Sequence, residues 1–508
     1  VNILTRKPLH FLILFCIAAA LRLPRLSSRP MHTDEAVHGI KLGQMIERNY
    51  QYDSSEYHGP TLNLFTIPVA WLAGQRTLVQ ITENTLRLVP VIFSLLTLWL
   101  LFGLQKGLGD GPVWIAGLLF SISPVFVFYS RYYIQETLLV CFSTGMLVSA
   151  LHWIKQPTLL SSVLLGFFLG LMQATKETWI LSVFALFITV FLLNRNQSAV
   201  KSIGPKLLII AFMTMTATSL LFTSVFLTDL HGFTDSWLSL IHYIRRAGGD
   251  GHYHPWFFYI HRLFFYRGTS GFISSEILIL VMAMIGIWAN YRKPADSQPY
   301  FRYILGYSLL LTLIYGVIPY KTPWLVLNFW IGWIIMAGSG VYVLIRLSAG
   351  TWYKLFIAII LAAGCVHLTG QSIVATSRYE SSPDNPWIYA HPDRSIQRIE
   401  QVIRKLPSTD SEGNPIFIEI IYPGHEYWPL PWMLRDLSRI IWTDHADFSS
   451  VMPDVIFLAP EMQNSLAEKI YAVRPRLYRP LFTEPVPLRP GALMQGFASL
   501  EIWEKINE

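Results

Sequence analysis

The sequence predicts a polytopic α-helical membrane protein of about eleven spans that ends in a small α/β domain. Three observations lead there. Hydrophobic residues fill 53% of the 508 positions and charged residues only 14%, whereas soluble domains carry roughly 25% charge. The apolar residues gather in runs of about 18 to 22, the length that crosses a bilayer as helix. Beyond residue 377 the pattern changes, and short strand-like runs alternate with helix-like ones.

The first span runs from Leu9 to about Leu23, behind Arg6 and Lys7. A basic flank before an apolar run also suits a signal peptide. Arg22, Pro24 and Arg25 follow, however, where small residues would mark cleavage. The run is therefore a membrane helix with its N-terminus in the cytoplasm. Residues 27–85 are too polar to span and form a first extracytoplasmic loop. Two amphipathic pieces lie in it. One, from about Asp34 to Arg48, places Val37, Ile40, Met45 and Ile46 near helical spacing. The other, Pro60 to about Gly74, is apolar but short and contains Pro68. Segments of this kind lie along a membrane interface, and together they would make a shelf on the outer surface.

Further spans are expected at about 86–105, 112–128, 137–154, 159–174, 178–193, 207–227, 274–290, 303–319, 324–345 and 355–371 by the length rule. An odd number of spans puts the C-terminus outside. The inner loops would carry Lys106, Lys155, Arg195, Lys201, Lys206, Arg292, Lys293, Arg302, Arg346 and Lys354, as the positive-inside rule asks. Yet Arg131, Lys176, Arg245, Arg246, Arg262, Arg267 and Lys321 would lie outside. Outer cations need a task, and a bound phosphate supplies one.

Residues 228–273 form a long extracytoplasmic loop rich in histidine and aromatics. Residues 378–508 read as an extracytoplasmic α/β domain, with helices at 393–405 and 460–472 and strands at 416–420 and 454–458. The membrane region is then residues 1–377. The net charge of +7 belongs to topology and lipid phosphate, and nucleic acid is not an expected partner. Cys16, Cys141 and Cys365 all fall in apolar spans, which excludes a disulfide framework or a cysteine-rich metal site.

The chemistry centres on Asp34 and Glu35, flanked by His32 and His38. One reading is structural: Thr33 caps a helix, and acids in its first turn suit the helix dipole. The other is catalytic: a partly buried carboxylate just past a span, with Asp34 as the central acid or base, takes a proton from a hydroxyl. Other polar steps recur at the outer ends of spans. His58-Gly-Pro60 is a turn whose histidine is a candidate for touching a ligand. In Ser130-Arg-Tyr-Tyr-Ile-Gln-Glu136, Arg131 either pairs locally or holds phosphate, and Glu136 either pairs or orients a sugar hydroxyl. Lys176 in Thr175-Lys-Glu177 and Lys321 in Tyr320-Lys-Thr-Pro-Trp324 are point charges suited to phosphate, or interfacial anchors beside Trp179 and Trp324. His252 and His254, with His32 and His38, could hold a divalent metal, but no HExxH spacing occurs, and no cofactor is required.

In this order the motifs resemble the GT-C glycosyltransferases, the membrane-embedded family that includes protein O-mannosyltransferases and lipid A aminoarabinose transferases. The matching residues are Asp34-Glu35, His58-Gly-Pro-Thr-Leu62, Ser130-Arg-Tyr132 with Glu136 where an Asp is usual, and Thr175-Lys176. With Trp428-Pro-Leu-Pro-Trp-Met-Leu-Arg-Asp436 added, the pattern is most similar to the prokaryotic flippase-activity-associated membrane proteins. The resemblance implies transfer of a sugar from a polyprenyl-phosphate donor to an acceptor hydroxyl on a glycolipid, glycan or protein. It takes place at the outer face of the cytoplasmic membrane, among membrane lipids. Asp34 would be the base and Glu35 would orient it or the acceptor. Arg131, Lys176, Arg245, Arg246 and Lys321 would stabilise the leaving phosphate; His58, Tyr132 and Glu136 would contact substrate. Single displacement would invert the anomeric centre.

Two rival classes use the same outward cations. A flippase or flippase accessory would guide a lipid phosphate without chemistry, and charges in mid-span would favour it. The spans are clean, with His152, His367 and Glu276 near their ends, so the enzyme is preferred. An oligosaccharide transferase with a diphosphate-linked donor would carry an Asp-x-Asp or Glu-x-Asp metal pair at the Asp34 position, and none is there.

Overall fold

Helix is the form an apolar run takes where no water can pair its backbone, because every N–H and C=O is then satisfied within the segment. The computed structural model describes residues 7–52, 58–195, 204–246, 252–292, 300–347, 350–445, 453–464, 467–468 and 478–507. The helices begin with α1 (Lys7–Arg22), α2 (Thr33–Ile46), α3 (Thr61–Leu72), α4 (Glu83–Leu101), α5 (Gln105–Leu108) and α6 (Asp110–Ile122). They continue with α7 (Pro124–Tyr129), α8 (Glu136–Lys155), α9 (Leu159–Gln173), α10 (Trp179–Asn194), α11 (Pro205–Thr223), α12 (His231–Arg246) and α13 (Phe258–Phe264). A two-stranded hairpin, β1 (Tyr266–Arg267) and β2 (Ile273–Ser274), precedes α14 (Ile277–Tyr291), α15 (Phe301–Val317), α16 (Leu327–Arg346) and α17 (Thr351–Ala375). Each expected span thus holds a helix. Among the described residues, 5 are long and apolar enough to cross a membrane by length and composition: Glu83–Leu108, Glu136–Lys155, Pro205–Thr223, Pro323–Arg346 and Thr351–Ala375. The other apolar helices are shorter.

The expected span 112–128 is broken. Pro124 lacks the N–H a continuous helix needs, and Ser123 before it is extended (φ −62°, ψ 121°). The exposed donors of the break are taken by the buried carboxylate of Glu276. Ser123 Oγ donates at 2.7 Å, the Val125 N–H at 2.9 Å and Trp330 Nε1 at 2.8 Å. A charge at a predicted span end here seals a backbone defect. Arg22 does similar work at the end of α1, donating to Ser94 Oγ, Ser121 O and Phe120 O at 2.9, 2.8 and 3.1 Å and so tying α1 to α4 and α6.

α8 is buried from Glu136 through Leu151 and α16 from Leu327 through Val341, the signature of helices surrounded by others. By contrast α10, α11 and α17 expose Phe187, Phe212 and Phe356, as lipid-facing helices do. Without a hydrophobic force between apolar helices in lipid, close backbone approach holds them. α14 and α16 meet at Gly286 and Gly340, where a Cβ on Gly340 would stand 1.8 Å from the Met282 carbonyl oxygen.

The chain falls into two compact units: Val1–Leu26, Arg48–Gln75 and Thr82–Tyr389 form one, and Ser27–Glu47, Arg76–Ile81 and Ala390–Glu508 the other. The boundary lies at Tyr389 and not at the expected 377. The two amphipathic pieces of the first loop do not share a unit: α3 belongs to the membrane unit, α2 to the C-terminal one. The second unit adds α18 (Ile396–Lys405), β3 (Ile418–Ile421), α19 (Leu430–Met433), β4 (Ile440–Thr443), β5 (Val455–Leu458), β6 (Tyr478–Pro480), β7 (Val486–Arg489), β8 (Ala492–Ser499) and a final helix, α20 (Leu500–Asn507). The strand order is β4-β3-β5-β8-β6, with β7 on β8. β3 runs parallel to β4 and β5, and β5 antiparallel to β8. β3 and β5 are buried at every residue, which explains why both read as unbroken apolar runs. The helix expected at 460–472 opens with a 3₁₀ turn at Pro460–Met462 and is helical at residues 463, 464, 467 and 468; the rest of it lies outside the described residues.

Candidate functional site

Asp34 and Glu35 sit in the first turn of α2, and the turn is built to separate them. His32, extended at φ −68° and ψ 154°, is the N-cap, not Thr33; its Nδ1 accepts the Asp34 N–H at 3.1 Å. Glu35 reaches back so that Oε2 accepts the His32 N–H at 2.9 Å, completing a capping box. Its other oxygen accepts from Arg29 Nη2 at 3.0 Å. Glu35 is wholly buried, so its charge is balanced by Arg29 in place of water. Asp34 points the other way. Its side chain is 45% exposed, and Oδ2 stands 3.8 Å from His32 Nδ1. Its carboxylate accepts no hydrogen bond from the described residues. One acid is locked and the other is left open. Arg29, six residues before Glu35, is a partner that the sequence reading did not single out.

Within the membrane unit, two separate motifs dock on each other. The Gly59 N–H donates to Thr175 O at 3.1 Å, Thr61 Oγ1 meets Thr175 Oγ1 at 2.8 Å, and His58 Nδ1 lies 3.0 Å from Glu177 Oε2. A Cβ on Gly59 would stand 2.0 Å from the Ala174 carbonyl oxygen. Gly59→Ala should therefore cost about 1–3 kcal/mol or more, read as a fall in thermal midpoint. Lys176 forms a buried ion pair with Glu136, the first residue of α8. Tyr133 places its hydroxyl 2.9 Å from Asn63 Oδ1 and 2.8 Å from Thr66 Oγ1 on α3. Tyr132 packs its ring on Phe128 and Tyr129.

Burial alone would raise the Glu177 carboxyl, but the charge and hydrogen bond of His58 outweigh it and hold the group below its ordinary value. A depressed carboxylate contributes stability above its unfolded pKa, near ~4.3, and loses it as pH falls through the folded value. The melting-point gap between wild type and Glu177→Gln should thus be open at neutral pH, worth about 1.5–3 kcal/mol, and close as the medium is acidified below the carboxylate range. A series of melts in detergent at stepped pH measures it.

The remaining expected cations have partners of their own or lie exposed. Arg131 donates to the carbonyls of Arg22, Pro24 and Arg25 at 3.1, 2.6 and 3.2 Å, which caps the end of α1. Lys321 is buried and donates to His254 O at 3.2 Å and to Ile318 O; burial pulls its ammonium below the usual lysine value. Arg245 is exposed on α12, and the Arg246 side chain lies outside the described residues. His252 Nδ1 bonds the Tyr389 hydroxyl, and the His254 ring stacks on Phe258 with centroids 4.1 Å apart. His38 is buried on α2. Among the described residues, no three His, Cys, Asp or Glu side chains group as a metal site.

Residues 66–222 match the dolichyl-phosphate-mannose-protein mannosyltransferase family. No curated protein matches the chain in sequence. Among solved structures it is similar to ArnT from Cupriavidus metallidurans bound to undecaprenyl phosphate, at TM-score 0.62 and 12% identity over 96% of this chain and 97% of that one. It is also similar to the Archaeoglobus fulgidus oligosaccharyltransferase tethered with an acceptor peptide, at TM-score 0.58 and 12% identity over 92% and 71%. The arabinofuranosyltransferase AftD from Mycobacteria matches at TM-score 0.51 and 11% identity over 98% of this chain and 40% of AftD. The fold is that of the GT-C glycosyltransferases. The family match spans α3 to α11 and takes in Arg131, Glu136 and Lys176. It begins after Asp34 and Glu35. The GT-C likeness to ArnT extends over nearly the whole length, the C-terminal α/β region included.

Proposed function

We propose that the protein transfers a sugar from a polyprenyl-phosphate donor to an acceptor hydroxyl, with inversion, at the outer face of the cytoplasmic membrane. Its N-terminus lies in the cytoplasm and its C-terminal domain outside. The observation that carries this reading is the division between the two acids. Glu35 is consumed by the capping box and Arg29, so it orients the turn. Asp34 keeps an accessible carboxylate beside His32. The fold it shares with ArnT, crystallised with undecaprenyl phosphate, supports the donor class.

In the reaction Asp34 accepts the proton of the acceptor hydroxyl. The oxygen attacks the anomeric carbon, the bond from that carbon to the phosphate oxygen breaks, and polyprenyl phosphate leaves. Charge grows on the phosphate as the bond breaks, so fixed cations lower the barrier. Lys176, Lys321, Arg245 and Arg246 are assigned that task. Arg131, which also donates to the carbonyls at the end of α1, is a further candidate for it. His58, Tyr132 and Glu136 are assigned to the substrate. The acceptor is a glycolipid, glycan or protein. The chemistry needs a base and cations, and no cofactor.

Labelled polyprenyl-phosphate sugar, supplied with a membrane glycolipid or protein extract, tests the reading. Transfer of label to a component of the extract is expected. Tight donor binding with no transfer and no donor hydrolysis in any extract would overturn it, and lipid movement in proteoliposomes would then be measured.

A further inference from the structure

The C-terminal sheet domain and the first-loop helix α2 are far apart in sequence, yet they form one compact unit. α19 packs directly on α2. The link is specific. Arg435 lays its guanidinium over the buried Trp432 ring, 3.9 Å from the centroid, and donates to Trp432 O and to Ile81 O, each at 2.7 Å. Ile81 ends the short turn Leu78–Gln80, whose Leu78 packs on Gly43 of α2 and donates its N–H to Glu47 Oε1 at 2.9 Å. At the other end of α2, the ring of His391 lies 4.8 Å from that of His32, the cap residue beside Asp34. Both histidines are buried. Arg489 on β7, held by Glu426 and donating to Trp428 O at 2.9 Å, is within electrostatic reach of Asp34.

We infer that the C-terminal domain is the scaffold that holds Asp34 in its working orientation, with His391 a positioning residue that acts through His32 and Arg435 one that acts through residues 78–81. The inference rests on Asp34 being the base. It explains why a conspicuous Trp-Pro-Leu-Pro-Trp-Met-Leu-Arg-Asp run sits outside the membrane region: Trp432 and Arg435 form the clasp, while Asp436 accepts two hydrogen bonds from Arg404 of α18 at 2.7 and 3.0 Å and fixes the run to the domain. A capped helix whose first turn carries a catalytic acid needs its rotation fixed, because a misplacement of about 1 Å can cost on the order of a hundredfold in rate.

The test uses the full chain with His391→Ala, His391→Phe and Arg435→Gln. Hydrogen exchange of peptides covering residues 33–46 reads the clamp without any turnover. It should quicken in His391→Ala and Arg435→Gln, recover in His391→Phe, and stay unchanged over 418–421 and 455–458. In the transfer assay the first and third variants should lose about tenfold or more in kcat at unchanged donor KM, and His391→Phe should regain most of it. Unchanged exchange over 33–46 overturns the inference. So does quickened exchange with wild-type kcat. Absence of turnover in wild type would instead sink the transferase reading, while the exchange result still decides whether the domain holds α2.

Discussion

Asp34→Asn should abolish sugar transfer while leaving the fold and donor binding intact. General-base catalysis contributes about 10²–10⁴-fold, and the loss should fall wholly on kcat. The side chain is 45% exposed and its carboxylate accepts no hydrogen bond from the described residues, so removing its charge breaks no packing and opens no buried gap. Glu35→Gln should behave in the opposite way. It weakens both the capping box and the ion pair with Arg29, so the thermal midpoint should drop before any specific loss in kcat appears. Steady-state kinetics beside thermal melts of both variants separates the two. Equal kcat losses with equal melting-point losses would mean that the two acids share one structural task and that Asp34 is no base.

Glu136→Ala should strongly destabilise the membrane unit. The Glu136 side chain is 1% exposed and that of its partner Lys176 8%. Deleting one member of a buried pair leaves a charge with neither water nor partner, worth about 3–5 kcal/mol. Exchanging both, as Glu136→Met with Lys176→Met, should recover much of that loss, because the desolvation of both charges disappears together. Thermal unfolding of the two variants decides it. The double variant should remain poor in donor binding if Lys176 also meets the donor phosphate, and that residual defect is the signature of a functional cation.

How far each feature could be read from sequence depended on how local its cause was. The spans were legible because lipid imposes a length and an apolarity on every helix. The break at Ser123–Pro124 was equally local, yet the run 112–128 hid it, since its apolarity continues through the proline. β3 and β5 were legible as short apolar runs. β8 was not, because Gln495 and Gly496 interrupt its pattern, and what makes it a strand is pairing with β5, β6 and β7. The acids at 34 and 35 were legible as a pair, but not their division of labour, which turns on Arg29 and the His32 cap.

By itself, then, the sequence determined a multi-spanning helical protein with cations at the ends of its spans and one conspicuous carboxylate pair, because composition and helix periodicity are properties of a single stretch of chain. Tertiary structure alone decided which acid stays open, that His58-Gly-Pro60 seats on Thr175-Lys-Glu177, that Arg131 caps α1, and that α2 belongs with the C-terminal sheet. Each of these depends on a partner tens to hundreds of residues away or on which way a side chain turns. No periodicity encodes such pairings; burial enforces them, because a polar group removed from water must find whichever partner the fold brings near.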